Sequence, residues 1–355
     1  MRKHFILLIL SLCATTLSFA QSNFYKSFYI TNLYDVIKTN DNGFACLTFN
    51  GGILKLDSNT HPQFYKELSS TSTLFFYKII QTTDSGFIIE TPYNPFNSNG
   101  IGCVVKFDKN GNYLWTQKYY YPTYSSNSIK DIISSDNNGF YLLASGCVGS
   151  PLLIKCNASG DIIWQKKSSY TAGAMKILRY ADNKFLIAGI SVVNDYLRKI
   201  NLYLVDTSGT YLWLKQYSNN GVNLINEITK ISDNEYSLLI YSQDSTTSGL
   251  HSTNITMRVD SSGNVLWAKK RLASIPIHYN TMNSLVGTND GGYLSTGYLA
   301  LTTTASRIVY SKTDSMNNIE WTRYFGNAAH NNGGTNEGIK IIKRNGDYFV
   351  FILNR

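Results

Sequence analysis

The sequence predicts an all-β fold, a β-propeller of about seven four-stranded blades, and two observations carry this prediction. A strand–turn–strand pattern that ends in an aromatic residue, clearest in Val104–Tyr119, recurs along nearly the whole chain. In six copies the aromatic residue follows the turn Asp or Asn by seven positions and falls at 64, 115, 164, 213, 267 and 321. The period of 49 to 54 residues is too long for a TPR or ankyrin unit and fits a blade of four strands.

The chain begins with a segment, residues 1–20, that predicts a secretory signal peptide. A basic start precedes the apolar run Phe5–Leu12, and Ser18-Phe19-Ala20 supplies a small-x-small cleavage site. The run is too short for a transmembrane helix, and no later run reaches about 18 apolar residues. Residues 21–355 are therefore expected to form one β-propeller domain that is secreted or held at the cell envelope and does not span a membrane.

The two ends of the mature chain are expected to close the last blade. Asn23–Ile30 contains Phe24-Tyr25-Lys26, which matches Phe64-Tyr65-Lys66 and indicates an outer strand without a blade of its own. At the other end, Ile339–Leu353 supplies only the first hairpin of a seventh copy. Pairing of these two segments would hide both edges and give a last blade of three strands.

Each blade is predicted to start with an apolar hairpin. Ile79–Glu90, Ile132–Gly146 and Leu285–Gly297 each join two apolar runs through a turn of Asp, Asn and Gly, which is a strong hairpin signal. Runs that are apolar throughout are typical of strands buried on both faces, here between neighbouring blades. Lys184 and Glu235 replace Gly in two copies, so those turns are expected to differ in geometry.

The second hairpin of each blade carries the residues that define the repeat. Its turn Asp or Asn accepts backbone hydrogen bonds, and its Gly supplies a positive φ, a role that Asn317 takes in the sixth copy. The Trp side chains are expected to pack between blades, and the repeated Lys residues to protect an outer edge strand. The structural repeat residues are Asp108, Gly111, Trp115, Asn157, Gly160, Trp164, Asp206, Gly209, Trp213, Asp260, Gly263, Trp267, Asp314 and Trp321.

This D-x-x-G-x-x-x-W unit, preceded by a D-G-G-aromatic hairpin, resembles the β-propeller repeats of secreted bacterial proteins. The resemblance is to the SBBP-type and quinoprotein-like repeats that are frequent in proteins exported by the type IX secretion system. It covers about Asn32–Arg355 and implies a propeller fold and export. Because the matching residues are the structural ones, it implies nothing specific about a ligand.

Composition and charge exclude several function classes. The formal charge of +9 invites a nucleic-acid partner, but Lys recurs at fixed repeat positions, so the charge belongs to the scaffold and no nucleic acid is expected. The turn Asp residues lack the density of a calcium loop, and no CxxC pair occurs. No metal or other cofactor is expected. The four cysteines beyond the signal peptide favour buried apolar positions, with a Cys147–Cys156 disulfide as the alternative.

No catalytic motif is present in the sequence. The spacing around the turn Asp does not match the sialidase Asp-box, and there is no G-x-S-x-G, H-E-x-x-H or P-loop. None of His61, His251, His278 and His330 has metal-ligand spacing with another. A site assembled from distant blades remains the alternative, namely a glycan-processing hydrolase or lyase.

The long connections between strands are the favoured place for function, since variable loops on a rigid scaffold commonly carry binding sites. They are Thr91–Ile101, Tyr119–Asn127, Ser191–Asn201, Gln243–Asn254, Ala273–Asn280, Tyr298–Arg307 and Asn327–Gly334. The first two are rich in aromatic residues and stiffened by proline. The candidate binding residues are Tyr93, Phe96, Tyr119, Tyr120, Tyr121 and Tyr124. The sequence thus predicts a monomeric binding module for a glycan or a protein surface, although tyrosine is abundant throughout the chain.

Overall fold

The computed structural model describes most of the chain. The described residues are 4–10, 24–29, 32–48, 51–68, 76–91, 100–120, 128–145, 150–170, 172–181, 183–194, 197–218, 221–244, 251–271, 279–300, 306–325 and 337–354. Within them, no helix is long and apolar enough to cross a membrane.

All regular elements of the described chain are β-strands, as the alternating apolar runs and Gly-containing turns predict. The first half contains β1 (His4–Leu10), β2 (Phe24–Tyr29), β3 (Leu33–Lys38), β4 (Phe44–Thr48), β5 (Ile53–Leu56), β6 (Pro62–Lys66), β7 (Lys78–Gln81), β8 (Phe87–Thr91), β9 (Gly100–Phe107), β10 (Tyr113–Tyr120), β11 (Ser128–Ser134), β12 (Phe140–Ser145), β13 (Leu152–Cys156) and β14 (Ile162–Lys167). The second half contains β15 (Lys176–Ala181), β16 (Lys184–Asn194), β17 (Leu197–Asp206), β18 (Tyr211–Tyr217), β19 (Val222–Ser232), β20 (Glu235–Asp244), β21 (His251–Asp260), β22 (Val265–Arg271), β23 (Tyr279–Gly287), β24 (Tyr293–Ala300), β25 (Ser306–Thr313), β26 (Ile319–Phe325), β27 (Glu337–Arg344) and β28 (Asp347–Asn354).

Six four-stranded blades are each built from consecutive antiparallel strands, which makes the fold an all-β β-propeller. The chain divides into two compact units. The unit Tyr34–Asn220 contains the blades β3–β6, β7–β10, β11–β14 and β15–β18. The unit formed by Met1–Leu33 and Gly221–Arg355 contains β19–β22 and β23–β26, together with a sheet made from the two chain ends.

The terminal sheet differs from the expected closing blade. The number of blades built from consecutive strands is six rather than seven, and the remaining sheet has the order β2-β1-β28-β27. We expected Asn23–Ile30 to pair directly with the C-terminal hairpin, and this was wrong because β1, from the predicted signal peptide, lies between them. Phe5 is opposite Phe28 on one side and opposite Leu353 on the other.

The apolar cores lie between successive blades, as predicted for strands that are buried on both faces. Between the second and third blades, Ile88 and Val104 pack with Leu142 and Ile154. The aromatic repeat residue contributes to the same core, since the centroids of the Trp115 and Phe140 rings lie 6.4 Å apart. The Trp side chains are half-buried rather than fully enclosed.

The turn chemistry of the second hairpin is confirmed. The Asp108 Oδ1 accepts hydrogen bonds from the backbone N–H of Asn110 and Asn112, both at 2.8 Å. Gly111 has φ of 77°, and Asn317, which replaces Gly in the sixth copy, has φ of 59°. These dihedrals explain why only Gly or Asn is found at this turn position.

The repeated Lys of the third strand has a role other than the edge protection expected of Lys on the outer, fourth strand. Lys55, Lys106 and Lys312 are buried. Each forms an ion pair with the Asp in the turn of its own blade's first hairpin, at Nζ–O distances of 2.7, 3.0 and 2.8 Å. Pairing compensates for the cost of burying a charge, so these lysines join the two hairpins of a blade. The turn partners are Asp41, Asp84 and Asp290.

Two further expectations concern the cysteines and one connection. Cys46, Cys103 and Cys156 are free and buried, in agreement with the interpretation as small apolar residues, while Cys147 lies outside the described residues. The connection Ser191–Asn201 is not a long loop, because β16 extends to Asn194 and β17 starts at Leu197.

Candidate functional site

The predicted aromatic site is only partly described. Tyr93, Phe96, Tyr121 and Tyr124 lie outside the described residues. Tyr119 is 1% exposed and its hydroxyl donates a hydrogen bond of 2.8 Å to the Gly160 carbonyl, so its ring packs between blades and does not belong to an exposed surface. Tyr120, the next residue of β10, is 45% exposed.

Other exposed tyrosines lie at the same end of their blades as Tyr120. We call this end, where the fourth strand of a blade leads to the next blade, the long-connection end. Tyr77, directly before β7, is 49% exposed and packs edge-on against Tyr34 at 5.7 Å between ring centroids. Tyr170, shortly after β14, is 38% exposed. The described long-connection end of Tyr34–Asn220 therefore presents several aromatic faces to solvent.

A second group of polar residues also lies near this end, at one equivalent position in the first strand of each blade. The residue directly before the apolar pair of the first strand is Asp35 in β3, Lys78 in β7, Asp131 in β11 and Lys176 in β15. The charges alternate in sign from blade to blade. The Lys78 Nζ lies 3.4 Å from the Asp131 Oδ1 and 4.0 Å from the Asp35 Oδ2.

The acidic members of this group also bind backbone of the next blade. The Ile79 N–H donates to the Asp35 Oδ2 at 3.2 Å, and the Ile177 N–H donates to the Asp131 Oδ2 at 3.0 Å. Ser284 has the equivalent role in the other unit, where its Oγ accepts from the Ile341 N–H at 3.2 Å. A carboxylate or hydroxyl side chain at this position thus satisfies a buried donor that would otherwise lose its hydrogen bond.

Glu90 is a carboxyl group beside this row of charges, and its pKa is strongly raised. It is opposite Lys78 in the β7–β8 register and only 2% exposed, and its Oε2 has no hydrogen-bond partner in the described structure. Burial, with the neighbouring charge of Asp131, raises the pKa of Glu90 from 4.5 to about 8, against the opposing effect of Lys78 and Lys176. The raised pKa favours the neutral carboxylic acid form of Glu90 at pH 7.

We define the acidic cluster as Asp35, Glu90 and Asp131. Chemically it combines one protonated carboxylic acid with two hydrogen-bonded carboxyl groups, and Lys78 lies close to both of the latter. A buried acid with a raised pKa is one of the features that distinguish catalytic carboxyl groups. The described residues contain no group of three or more His, Cys, Asp and Glu arranged to hold a metal ion.

The sequence contains a signal for part of this cluster that belongs to no known catalytic or binding motif. In the aligned copies of the first hairpin, the residue directly before the buried Ile, Val or Leu of the first strand is polar every time: Asp35, Lys78, Asp131, Lys176, Glu227, Ser284 and Lys340. Glu227 and Lys340 form an ion pair at 2.5 Å in their own unit. Glu90 had no such signal, because its burial results from the packing of several blades.

Comparisons with solved structures agree with the fold. BBS1N, solved in complex with ARL6DN, has a TM-score of 0.51 and 9% identity over 92% of this chain and 93% of that one. An ancestral GH74 enzyme has a TM-score of 0.51 and 13% identity over 90% of this chain, which spans only 44% of the enzyme's chain. YCF48 bound to D1 peptide has a TM-score of 0.50 and 9% identity over 90% of this chain and 93% of that one.

No protein family and no curated protein matches the sequence. The class that the fold defines is the β-propeller, and at these identities the likeness to the three solved structures concerns the fold alone. These neighbours have varied roles, so the fold does not specify a function. The function has to be inferred from the residues of this chain.

Proposed function

We propose that this protein is a secreted or cell-surface binding module that recognises a glycan or a protein surface at the long-connection end of its blades. The observation that carries the proposal is the group of exposed tyrosines Tyr77, Tyr120 and Tyr170 at that end. Aromatic faces with a polar tip suit both sugar rings and protein surfaces.

Three further points support this proposal. The predicted signal peptide favours export, and the predicted aromatic loops follow directly on the strands that carry the exposed tyrosines. The turn Asp and Gly residues and the buried lysines have structural roles, so they are not needed to explain a ligand site. Two of the three structural neighbours were solved with ARL6DN or a D1 peptide bound, so a binding role is compatible with this fold.

The proposal is tested by binding measurements with a double variant, Tyr77→Ser with Tyr120→Ser. We expect labelled wild-type protein to bind members of a glycan array or a peptide array, and the variant to lose at least about tenfold in affinity, because truncation of a buried aromatic contact commonly costs over 1 kcal/mol.

Tyr113→Ser provides a matched control. Tyr113 lies on the same strand as Tyr120 and is 55% exposed, but it is at the opposite end of β10. The control is expected to bind like the wild type. Equal binding by the double variant, with its circular dichroism unchanged, would show that the long-connection end is not the binding surface.

Glu90 favours a second candidate function, a glycan-processing hydrolase or lyase at the same end. A carboxylic acid that is protonated at pH 7 is the form that a general acid needs. Glu90 lies one residue before the end of β8, from which the connection with Tyr93 and Phe96 continues.

This candidate is tested by incubating the wild type and Glu90→Gln with a panel of polysaccharides and measuring new reducing ends and unsaturated products. Gln keeps the shape of the side chain but cannot transfer a proton. Turnover by the wild type that Glu90→Gln loses would establish the enzyme and replace the binding-only proposal. Absence of turnover with retained binding would leave the module as proposed.

A further inference from the structure

Three of the six blades share one Lys–Asp ion pair, and the β11–β14 blade keeps the lysine without that partner. In three blades the third-strand lysine is buried and paired with the third residue of the first-hairpin turn, as in Lys55 with Asp41 and Lys106 with Asp84. Lys155 occupies the equivalent place in the β11–β14 blade, since it is opposite Tyr141 as Lys106 is opposite Ile88. Within the described structure, however, Lys155 has no carboxylate partner and is half-exposed.

The reason is a change of order in the turn. The turn Thr39–Gly43 has the sequence TNDNG, whereas Ser135–Gly139 has the sequence SDNNG, so the carboxylate moves from the third position to the second. The turn geometry changes as well. Asn137 and Asn138 both have positive φ, of 56° and 60°, and the Gly139 N–H bonds to the Asp136 carbonyl at 3.2 Å. Asp136 is exposed and forms no ion pair with Lys155.

In the β11–β14 blade, an open cavity of about 290 Å³ lies beside this turn and Lys155, where the other three blades have the turn carboxylate. Lys155 and Arg179 both line it, together with Asn137 and Asn157. The Lys155 Nζ lies over the Tyr141 ring at 5.5 Å from the centroid, which holds the ammonium group in position. The Arg179 Nη2 donates to the Ser134 carbonyl at 3.0 Å, so the guanidinium group is also fixed.

We propose that this cavity binds a small, singly charged oxyanion group, a carboxylate or a sulfate ester carried on a sugar-sized ligand. The two cations and the exposed Asp136 give the lining a net charge of about +1, which suits a single negative charge. Arginine offers a planar fork to such groups, lysine a point charge, and the Asn137 amide a neutral donor. The volume is at the lower end for ligand sites and matches a ligand of one sugar unit.

This site does not depend on the proposed function. It lies at the hairpin-turn end of the β11–β14 blade, opposite to the long-connection end. The ligand supplies the negative charge that Asp41, Asp84 and Asp290 supply in their own blades.

The test is calorimetric titration of the whole protein with D-glucuronate, glucose 6-sulfate and glucose. We expect one or both of the acidic sugars to bind and neutral glucose not to bind, with affinity falling as salt is added. Binding of glucuronate alone would assign the site to carboxylates, and binding of the sulfate ester alone to sulfated glycans. If the wild type binds neither acidic sugar, the proposal is wrong.

Two variants locate the binding. Lys155→Gln is expected to lose at least about tenfold in affinity, because it removes a charged hydrogen-bond donor to the anion. The exchange Asp136→Asn with Asn137→Asp restores the order of the Thr39–Gly43 turn without changing net charge or composition. It is expected to place a carboxylate against Lys155. That carboxylate would compete with the ligand and lower its affinity by a factor similar to that for Lys155→Gln.

The control is Lys109→Gln, which removes the same charge from an exposed turn of the β7–β10 blade. It is expected to bind like the wild type. Unchanged affinity in Lys155→Gln, or in the exchange variant, would contradict the proposal. Equal weakening by Lys109→Gln would show that only the net charge attracts the acidic sugar.

Discussion

At the scale of single residues, the most informative contacts are the buried lysines and their turn carboxylates. Lys106 is buried against Asp84 and Thr82. The turn aspartate is held by three donors, since the Thr82 hydroxyl and the Gly86 N–H bind the same Oδ1 as Lys106. Burial opposes ionisation of Asp84, but these hydrogen bonds prevail and lower its pKa. Each buried Lys–Asp pair thus connects the turn of the first hairpin to the third strand of the same blade.

Asp84→Asn is expected to lower the free energy of unfolding by about 1–3 kcal/mol, because it leaves the buried Lys106 without its counter-charge. Asp136→Asn is the matched control, since Asp136 is exposed in the equivalent turn and forms no ion pair with Lys155. The control is expected to change stability by less than about 0.5 kcal/mol. Urea denaturation measures both, and equal effects would refute a role for the buried pair.

Glu90 leads to a prediction about pH. Its folded-state pKa of about 8 exceeds the ordinary value of 4.5, so the folded state binds the proton more tightly than the unfolded state does. Stability should therefore fall as the pH rises from about 4.5 to 8, by at most about 1.4 kcal/mol per pH unit from this group.

Glu90→Gln should remove this contribution, because Gln does not ionise. Chemical denaturation of the wild type and of Glu90→Gln at pH 5, 7 and 8.5 measures the difference, which should grow in favour of the variant as the pH rises. A constant difference across that range would mean that Glu90 is ionised in the folded protein at pH 7.

At the scale of elements, the blades are joined by the contact between an aromatic residue and a turn glycine. Gly160, at the β13–β14 turn, has φ of 85° and lies directly against the Trp115 ring of the preceding blade. A Cβ placed on Gly160 would meet the Trp115 Cη2 at 3.0 Å. The glycine thus serves the turn and the packing between blades at once.

Gly160→Ala is expected to destabilise the protein by about 2–5 kcal/mol, from strain at positive φ together with overpacking against Trp115. Gly346→Ala separates the two effects, because Gly346 has φ of 89° but nothing within 4 Å of an added Cβ. This control should cost only about 1–2 kcal/mol. Similar losses of stability in both variants would argue against the blade contact.

At the scale of the whole molecule, the terminal sheet includes a strand from the predicted signal peptide. β1 lies between β2 and β28, yet it belongs to the segment predicted to be cleaved after Ala20. β2 runs parallel to β28, because each is antiparallel to β1. Removal of β1 would therefore leave β28 without an antiparallel neighbour on that side.

A protein that consists of residues 21–355 is expected to exchange the backbone amides of 348–353 for deuterium faster than the full chain does. The amides that face β1 lose their partners when that strand is absent. Peptides from β12, which lies in the other unit, serve as the internal reference. Unchanged protection of 348–353 would mean that another segment covers this edge of β28.

Much of the fold was predictable because it follows from local rules. The seven-residue spacing from turn residue to aromatic residue, and the Gly or Asn at positive φ, concern neighbours within one hairpin. The candidate site was predicted less well. Of the two neighbouring candidate binding residues, Tyr120 is exposed but Tyr119, one position earlier on the same strand, is buried, because successive side chains point to opposite faces of a sheet.

The sequence by itself determined the strands, their turns and their grouping into blades, because each depends on residues close together in the chain. The tertiary structure decided which distant groups meet. The pairing of Lys106 with Asp84, the burial of Glu90 beside Asp131 and the insertion of β1 beside β28 join residues from separate hairpins, separate blades and both chain ends. Whether a charge is paired, neutralised or left open to a ligand depends on those neighbours, and only the packed sheets bring them within reach.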